Sequence, residues 1–185
     1  MKNFLLLFSL TLFAFSSPAQ AGFLLEPYMG MHLNSSYTDN DCASDCSKSI
    51  SGIAIGGRAG FQNLGFMFGV SGKRVSYDVE DATSGDLATT TIGVFAGYDF
   101  PILLRVWGEY ILSGTGAWDD SSSNQELNVA SGTTLGVGYK IFPFISLNLE
   151  VGSIKFDETT YDGGSNEIDT DFNTYMLGIS VPLSL

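Results

Sequence analysis

The stretch GTTLGVGYKI, residues 132–141, decides the fold because its side chains alternate with period two. Successive side chains of an extended chain point to opposite faces, so each face receives every second residue. One face takes the larger and mostly apolar side chains: Thr133, Leu135, Val137, Tyr139 and Ile141. The other takes mostly glycine, with Thr134 and Lys140. This alternation predicts a β-strand, and Val129 extends the larger face at its start.

The same alternation recurs in seven other segments. The eight segments are about 25–34, 53–61, 66–73, 91–100, 104–112, 129–141, 145–152 and 174–185. Short connections near Leu64, Pro101 and Pro143 alternate with long polar ones near 38–50, 78–88, 114–126 and 157–171. No later segment has the 18 or so consecutive apolar residues of a spanning helix. The sequence therefore predicts an all-β protein, an eight-stranded antiparallel up-and-down barrel with both termini at the short-turn end.

Composition excludes several classes of function. The 185 residues carry 8 Lys+Arg against 20 Asp+Glu, so a nucleic-acid partner is not expected. One His and two Cys supply little for a His-rich metal site or a His-based catalytic pair, and we expect no cofactor and no metal. Charged residues make up only 15%, against about 25% in soluble domains. Much of the surface is therefore expected to face something other than water.

The first 21 residues have the pattern of a cleaved signal peptide. Lys2 gives a positive start, and an apolar run extends from Phe4 to Phe15. Ala19 and Ala21 then form an A-x-A cleavage pattern. The run is shorter than the roughly 20 residues of a transmembrane helix. We predict cleavage after Ala21 and a barrel formed by residues 22–185.

The two faces of the strands predict which side is inside. A soluble barrel would turn its apolar face inward and expose a face rich in polar side chains. Here the second face is mostly glycine, which suits a narrow interior shared with a few large side chains such as Arg58, Arg105 and Trp107. The apolar face then looks outward, which only lipid tolerates. Outward tyrosines such as Tyr98 and Tyr110 would form interfacial girdles.

With these features the chain resembles the small eight-stranded outer-membrane barrels of Gram-negative bacteria: the barrel domain of outer-membrane protein A, and the X and W families. The resemblance covers the whole of residues 22–185 and rests on strand number, loop asymmetry and the alternating last strand Tyr175–Leu185. It implies a monomer in the cell outer membrane with periplasmic termini, in contact with membrane lipid and lipopolysaccharide. It also implies recognition of the last strand by the barrel-assembly machinery. That strand usually ends in an aromatic residue, and here it ends in Leu185.

Eight charged residues on the inward faces predict an interior ion-pair network. They are Glu26, Arg58, Lys73, Asp99, Arg105, Glu109, Lys140 and Glu150. Glu26 and Arg58 lie at a similar height on neighbouring strands, and Asp99 and Arg105 are nearly opposite across a turn. Buried charges must pair, because an unpaired one costs several kcal/mol. We favour a salt-bridged plug over the alternative of an ion path or gate.

Cys42 and Cys46 lie four apart in the first long loop. In an exported protein this spacing favours a disulfide that closes a small ring. A metal pair or a redox site is the alternative, although the spacing is C-x-x-x-C and not C-x-x-C.

Function follows from these features as a set of alternatives. A structural or surface-interaction role with acidic extracellular loops is the first, and a narrow channel for small or apolar solutes is the second. A barrel enzyme that modifies lipid A is a third, weaker alternative, with His32 beside Ser76, Asp78 or a loop acid. We favour a neutral, hydrogen-bonded His32 and no enzymatic activity. The acidic loops could also make weak contacts with divalent cations.

Overall fold

The computed structural model describes residues 22–39, 47–79, 87–118, 126–161 and 164–185. Nine strands occupy almost all of them: β1 (Gly22–Asp39), β2 (Ser47–Asn63), β3 (Phe66–Val79), β4 (Leu87–Asp99), β5 (Leu104–Trp118), β6 (Glu126–Phe142), β7 (Ile145–Tyr161), β8 (Gly164–Ser180) and β9 (Leu183–Ser184). Within these ranges no helix is long and apolar enough to cross a membrane.

The strands form one closed antiparallel sheet. Each strand from β2 to β7 pairs with the next one, β8 pairs with β1, and β1 pairs with β2 to close the barrel. The two-residue β9 continues the line of β8 after Pro182 and also pairs with β1. The predicted eight-stranded antiparallel barrel is therefore confirmed, with its last strand interrupted at Val181 and Pro182.

Short turns join the strands at one end, here called the turn end. Leu64 and Gly65 form the two-residue connection between β2 and β3, and both have positive φ, at 49° and 86°. A type I′ turn requires this geometry at both central positions, because its twist matches that of the flanking strands. The opposite end of the barrel is called the loop end.

Burial follows the alternation along the strands. Leu135 is 65% exposed and Ile55 is 63% exposed on the outer surface. On the inner face Glu26 is 0% exposed and Arg58 is 1% exposed. An apolar exterior around a polar interior is the arrangement of a membrane barrel and the reverse of a soluble one.

The strands extend further toward the loop end than the alternation predicts. The segment 157–171, predicted as a loop, is mostly a paired hairpin in which Glu158 lies opposite Glu167 and Tyr161 lies opposite Gly164. The prediction of a loop was therefore wrong. Polar residues lie on both faces of this segment, so its sequence shows no alternation of apolar and polar side chains, although the backbone pairing of the two strands continues. β1 and β5 also run on to Asp39 and Trp118.

The structure corrects the predicted orientation of one side chain, that of Val129. The pattern places it outward with Leu135, but it is buried, with 8% exposure. The register between β6 and β7 shifts between Asn128 and Val129 and again between Val129 and Ser131. Each β-bulge adds a residue and changes which face the following side chains occupy.

Two apolar clusters fill parts of the interior. The larger, here called the loop-side core, is Tyr28, Ile50, Ala54, Val75, Tyr77, Leu87, Ile111, Leu127, Val129, Ile154, Phe156, Phe172 and Met176. The smaller consists of Leu24, Met67 and Phe95. The charged residues between them are therefore enclosed by apolar side chains, which the sequence analysis did not predict.

Candidate functional site

Six buried charges on five strands form the interior charge network: Glu26, Arg58, Lys73, Arg105, Glu109 and Glu150. The most regular contact in this network is made by Arg105 on β5. Its guanidinium donates hydrogen bonds of 2.8 Å to each oxygen of Glu26 on β1. Such bidentate, charge-assisted pairs are among the strongest hydrogen bonds in proteins. A third contact of Arg105, 3.1 Å to Met67 Sδ, joins the network to the smaller apolar cluster.

Arg58 on β2 lies among three carboxylates. It donates a hydrogen bond to Glu150 on β7. Its Nη1 is 3.5 Å from Glu26, and its Nε is 3.9 Å from Glu109 on β5. Side chains from four strands therefore meet at one guanidinium.

Two aromatic rings enclose the same guanidinium. The Arg58 Cζ atom lies 4.5 Å from the ring centroid of Tyr28 and 4.5 Å from that of Trp107. Cation–π attraction is strongest where the cation is shielded from water, as it is here. Gly136 makes room for the indole, since a Cβ atom at this position would overlap the Trp107 ring. The glycine-rich inner face therefore positions Trp107 against Arg58.

Lys73 completes the network. Its Nζ lies 3.8 Å from Glu150 Oε2, and both side chains are almost fully buried. The network thus holds three cations and three carboxylates, so its formal charges cancel. Cancellation matters because the low dielectric interior penalises any uncompensated charge.

A second polar cluster closes the turn end. Lys140 on β6 pairs with Asp99 on β4, and Gln62 donates a hydrogen bond of 3.1 Å to Asp99. Ser184 on β9 donates a hydrogen bond of 3.0 Å to Gln62. This turn-end cluster connects the last residues of the barrel to three other strands.

All eight predicted charges have ion-pair partners. Glu26 and Arg58 are Cα partners and form an ion pair at 3.5 Å, as their neighbouring positions suggest. The second suggested pair does not form. Asp99 and Arg105 are Cα partners between β4 and β5. Even so, Arg105 pairs with Glu26, and Asp99 pairs with Lys140. The six-residue network and the Lys140–Asp99 pair are separate groups. Sequence reasoning placed Tyr28 inside the barrel but missed Gln62, although Gln62 lies on the inward-facing side of the alternation in β2.

His32 does not meet the residues proposed for a catalytic group. It is buried at 2% exposure, and its ring packs edge-on against Tyr77 at 5.2 Å between centroids. Ser76 and Asp78 flank Tyr77 on β3 and are exposed on the outer face. A side chain inside the wall cannot act with two outside it. The hydrogen bond expected for His32 is also missing, since neither ring nitrogen has a partner among the described residues.

Acidic residues gather at the loop end of β7 and β8. Asp157, Glu158 and Glu167 line an open cleft there. Lys155 Nζ lies 2.7 Å from Asp169 Oδ1, and this hydrogen bond raises the pKa of Lys155. No group of three or more His, Cys, Asp or Glu within the described ranges has an arrangement that could hold a metal ion.

Two predictions fall on segments that the structure does not describe. Cys42 and Cys46 lie in 40–46, and the predicted signal peptide occupies residues 1–21. Disulfide formation and cleavage after Ala21 both stay predictions.

Comparison with known proteins identifies the family. Three solved structures share the fold. Neisserial surface protein A matches 88% of this chain with a TM-score of 0.56 and 17% identity, and Ail, the attachment invasion locus protein of Yersinia pestis, matches 88% with a TM-score of 0.55 and 13% identity. OprG from Pseudomonas aeruginosa matches 92% with a TM-score of 0.52 and 13% identity. The matches cover 98%, 99% and 99% of those chains. No curated protein matches the sequence. The model of the outer membrane protein beta-barrel domain matches residues 6–183. The chain therefore belongs to the outer membrane protein beta-barrel domain family, and its location is the cell outer membrane, as the sequence predicts.

Proposed function

We propose that this protein is a closed outer-membrane barrel whose interior carries no solute and whose loop end makes contacts at the cell surface. The observation that carries the proposal is the position of Arg58. Its guanidinium is enclosed by Tyr28 and Trp107 and lies beside carboxylates from β1, β5 and β7. The interior of an eight-stranded barrel is just wide enough for side chains to fill it.

The loop-side core supports the same proposal. Tyr77, Phe156 and Phe172 are each about 1% exposed, and their rings pack against one another inside the barrel. A hydrated ion on this route would have to leave its water to pass between aromatic rings, which costs far more than it gains. Charge and apolar packing therefore oppose conduction at two successive levels.

Planar-bilayer recording tests the closed interior. The purified protein is expected to give no discrete and reproducible openings. Glu126→Gln, which changes an exposed acid at the loop end, serves as the matched control and is expected to be equally silent. Regular openings of the unmodified protein would contradict the proposal and support a narrow channel instead. Entry of a small uncharged sugar into proteoliposomes extends the test to solutes that carry no current.

The acidic loop end supports the surface role. Asp157, Glu158 and Glu167 lie together on the β7–β8 hairpin, and the net charge of the full sequence is −12. Protein in nanodiscs of neutral lipid should bind a polylysine-coated surface at low salt and leave it at high salt, because exposed charges are screened. The triple variant Asp157→Asn, Glu158→Gln, Glu167→Gln should bind more weakly. Equal binding by this variant would count against a role for the hairpin.

A further inference from the structure

Arg74 differs from the other cations whose side chains the structure describes. Arg58, Lys73, Arg105 and Lys140 pair with carboxylates inside the barrel, and Lys155 pairs with Asp169 outside it. Arg74 lies on the outer face of β3, is exposed, and forms no ion pair with any described residue. A guanidinium on a lipid-facing wall is costly unless it reaches polar groups of the membrane.

The register places Arg74 in a polar row across three strands. Its Cα partner on β4 is Thr90, and the partner of Thr90 on β5 is Thr115. All three side chains are exposed on the outer face. Directly opposite residues of adjacent strands lie about 5 Å apart, so one anionic group could touch the guanidinium and a neighbouring hydroxyl together.

The same row marks the loop-end edge of the apolar band. Val70 on β3 and Ile92 on β4 lie on the side toward the turn end, and each is 56% exposed. Beyond Arg74 the outer face of β3 continues with Ser76 and Asp78. An arginine at such an edge lays its aliphatic stem on apolar surface and holds its guanidinium at headgroup level.

We propose that Arg74, together with Thr90 and Thr115, binds a phosphate group of lipid A. The guanidinium would form paired hydrogen bonds with two phosphate oxygens, and the threonine hydroxyls would donate to the others. Lipid A follows from the predicted orientation, in which the loop end lies in the outer leaflet. The site lies on the outer wall and holds whether or not the interior conducts.

Native mass spectrometry tests the site with protein released from nanodiscs that contain either bisphosphorylated lipid A, fully dephosphorylated lipid A or phosphatidylglycerol. Arg74→Gln should weaken binding of the bisphosphorylated form about tenfold, which matches the loss of one charge-assisted hydrogen-bonding group. Lys155→Gln is the matched control, since it removes an outward cation that already has a partner, and it should change binding less than twofold. Arg74→Lys should fall between the two because it keeps the charge and loses the paired geometry.

Each outcome decides the proposal. Equal binding of bisphosphorylated lipid A by Arg74→Gln and the unmodified protein would overturn the site. Equal loss with phosphatidylglycerol would overturn the assignment to lipid A, and undiminished binding of the dephosphorylated form would exclude phosphate recognition. Heat-modifiability gels verify that each variant is folded.

Discussion

Arg105 and Glu26 lie on opposite strands of the barrel, yet two hydrogen bonds of 2.8 Å join them. In the closed order of eight strands, β5 is four strands from β1 in either direction. Lys73 on β3 and Glu150 on β7 form a second contact between opposite strands, at 3.8 Å. The two contacts cross the interior in different directions, and Arg58 connects Glu26 on one to Glu150 on the other.

Removing the Glu26 carboxylate should destabilise the barrel strongly. Glu26→Gln takes an anion from both Arg105 and Arg58, and an unpaired buried charge costs about 3–5 kcal/mol. Reversible urea unfolding in lipid vesicles measures the free energy of unfolding. Glu126→Gln is the control and should change it by less than about 0.5 kcal/mol, because the residue is exposed. A loss below 1 kcal/mol for Glu26→Gln would mean that water, and not Glu26, compensates the arginines.

The contact of Gly136 with Trp107 gives a second prediction. In Gly136→Ala the new methyl group would overlap the indole, so Trp107 must move away from Arg58. Overpacking of this kind costs about 1–3 kcal/mol, and the fluorescence of Trp107 should shift as its cation neighbour is lost. Gly108→Ala is the matched control, because its methyl would meet only Leu135 at an ordinary 3.6 Å on the outer face. Unchanged fluorescence in Gly136→Ala would contradict the packing described.

Spin labels should locate the edge of the hydrocarbon region. With Cys42 and Cys46 replaced by serine, a nitroxide at Leu135 should collide mainly with oxygen, because this outward position lies in the apolar band. A nitroxide at Ala117, also outward but near the loop end of β5, should collide mainly with a water-soluble nickel complex. Water-like accessibility at both positions would contradict the lipid-facing exterior.

The cysteine pair gives a prediction outside the described residues. Without reduction, Cys42 and Cys46 should resist alkylation, and the intact mass should be two hydrogens lower than that of the reduced protein. The entropic stabilisation from so small a ring is about 2 kcal/mol, so reduction should lower the unfolding midpoint only modestly. Rapid alkylation of both thiols in protein taken directly from the outer membrane would show that the disulfide does not form.

Sequence reasoning predicted the barrel because lipid imposes a strict rule on every strand that crosses it. An outward polar residue in the hydrocarbon region is penalised, so Leu135, Val137 and their equivalents repeat with period two. Toward the loop end that penalty disappears, and the strands from Asp157 to Asp171 carry no such period. The bulge at Val129 could not be predicted from the sequence for a related reason. An apolar side chain at this height is acceptable on the inner or the outer face, so the change of face leaves no trace in the pattern.

The alternation shows which charged residues point inward, but it does not show how most of them pair. The alternation of side chains along β5 shows that Arg105 points inward, and the pairing of β4 with β5 makes Asp99 its neighbour. The contact with Glu26 depends on the diameter and tilt of the closed barrel, which no single hairpin reveals. Trp107 and Gly136 occupy inward positions in the pattern, whereas the enclosure of Arg58 by two rings depends on the complete cross-section.

The bond between opposite strands has a consequence for assembly. A growing sheet that still has free edges cannot bring β1 and β5 face to face, so Glu26 and Arg105 keep their hydration while the sheet remains open. When β8 pairs with β1 and the sheet closes, the six ionised groups of the interior charge network must lose water in the same step. We therefore expect a sheet with one strand out of register to close less readily, because closure would enclose these charges without their partners.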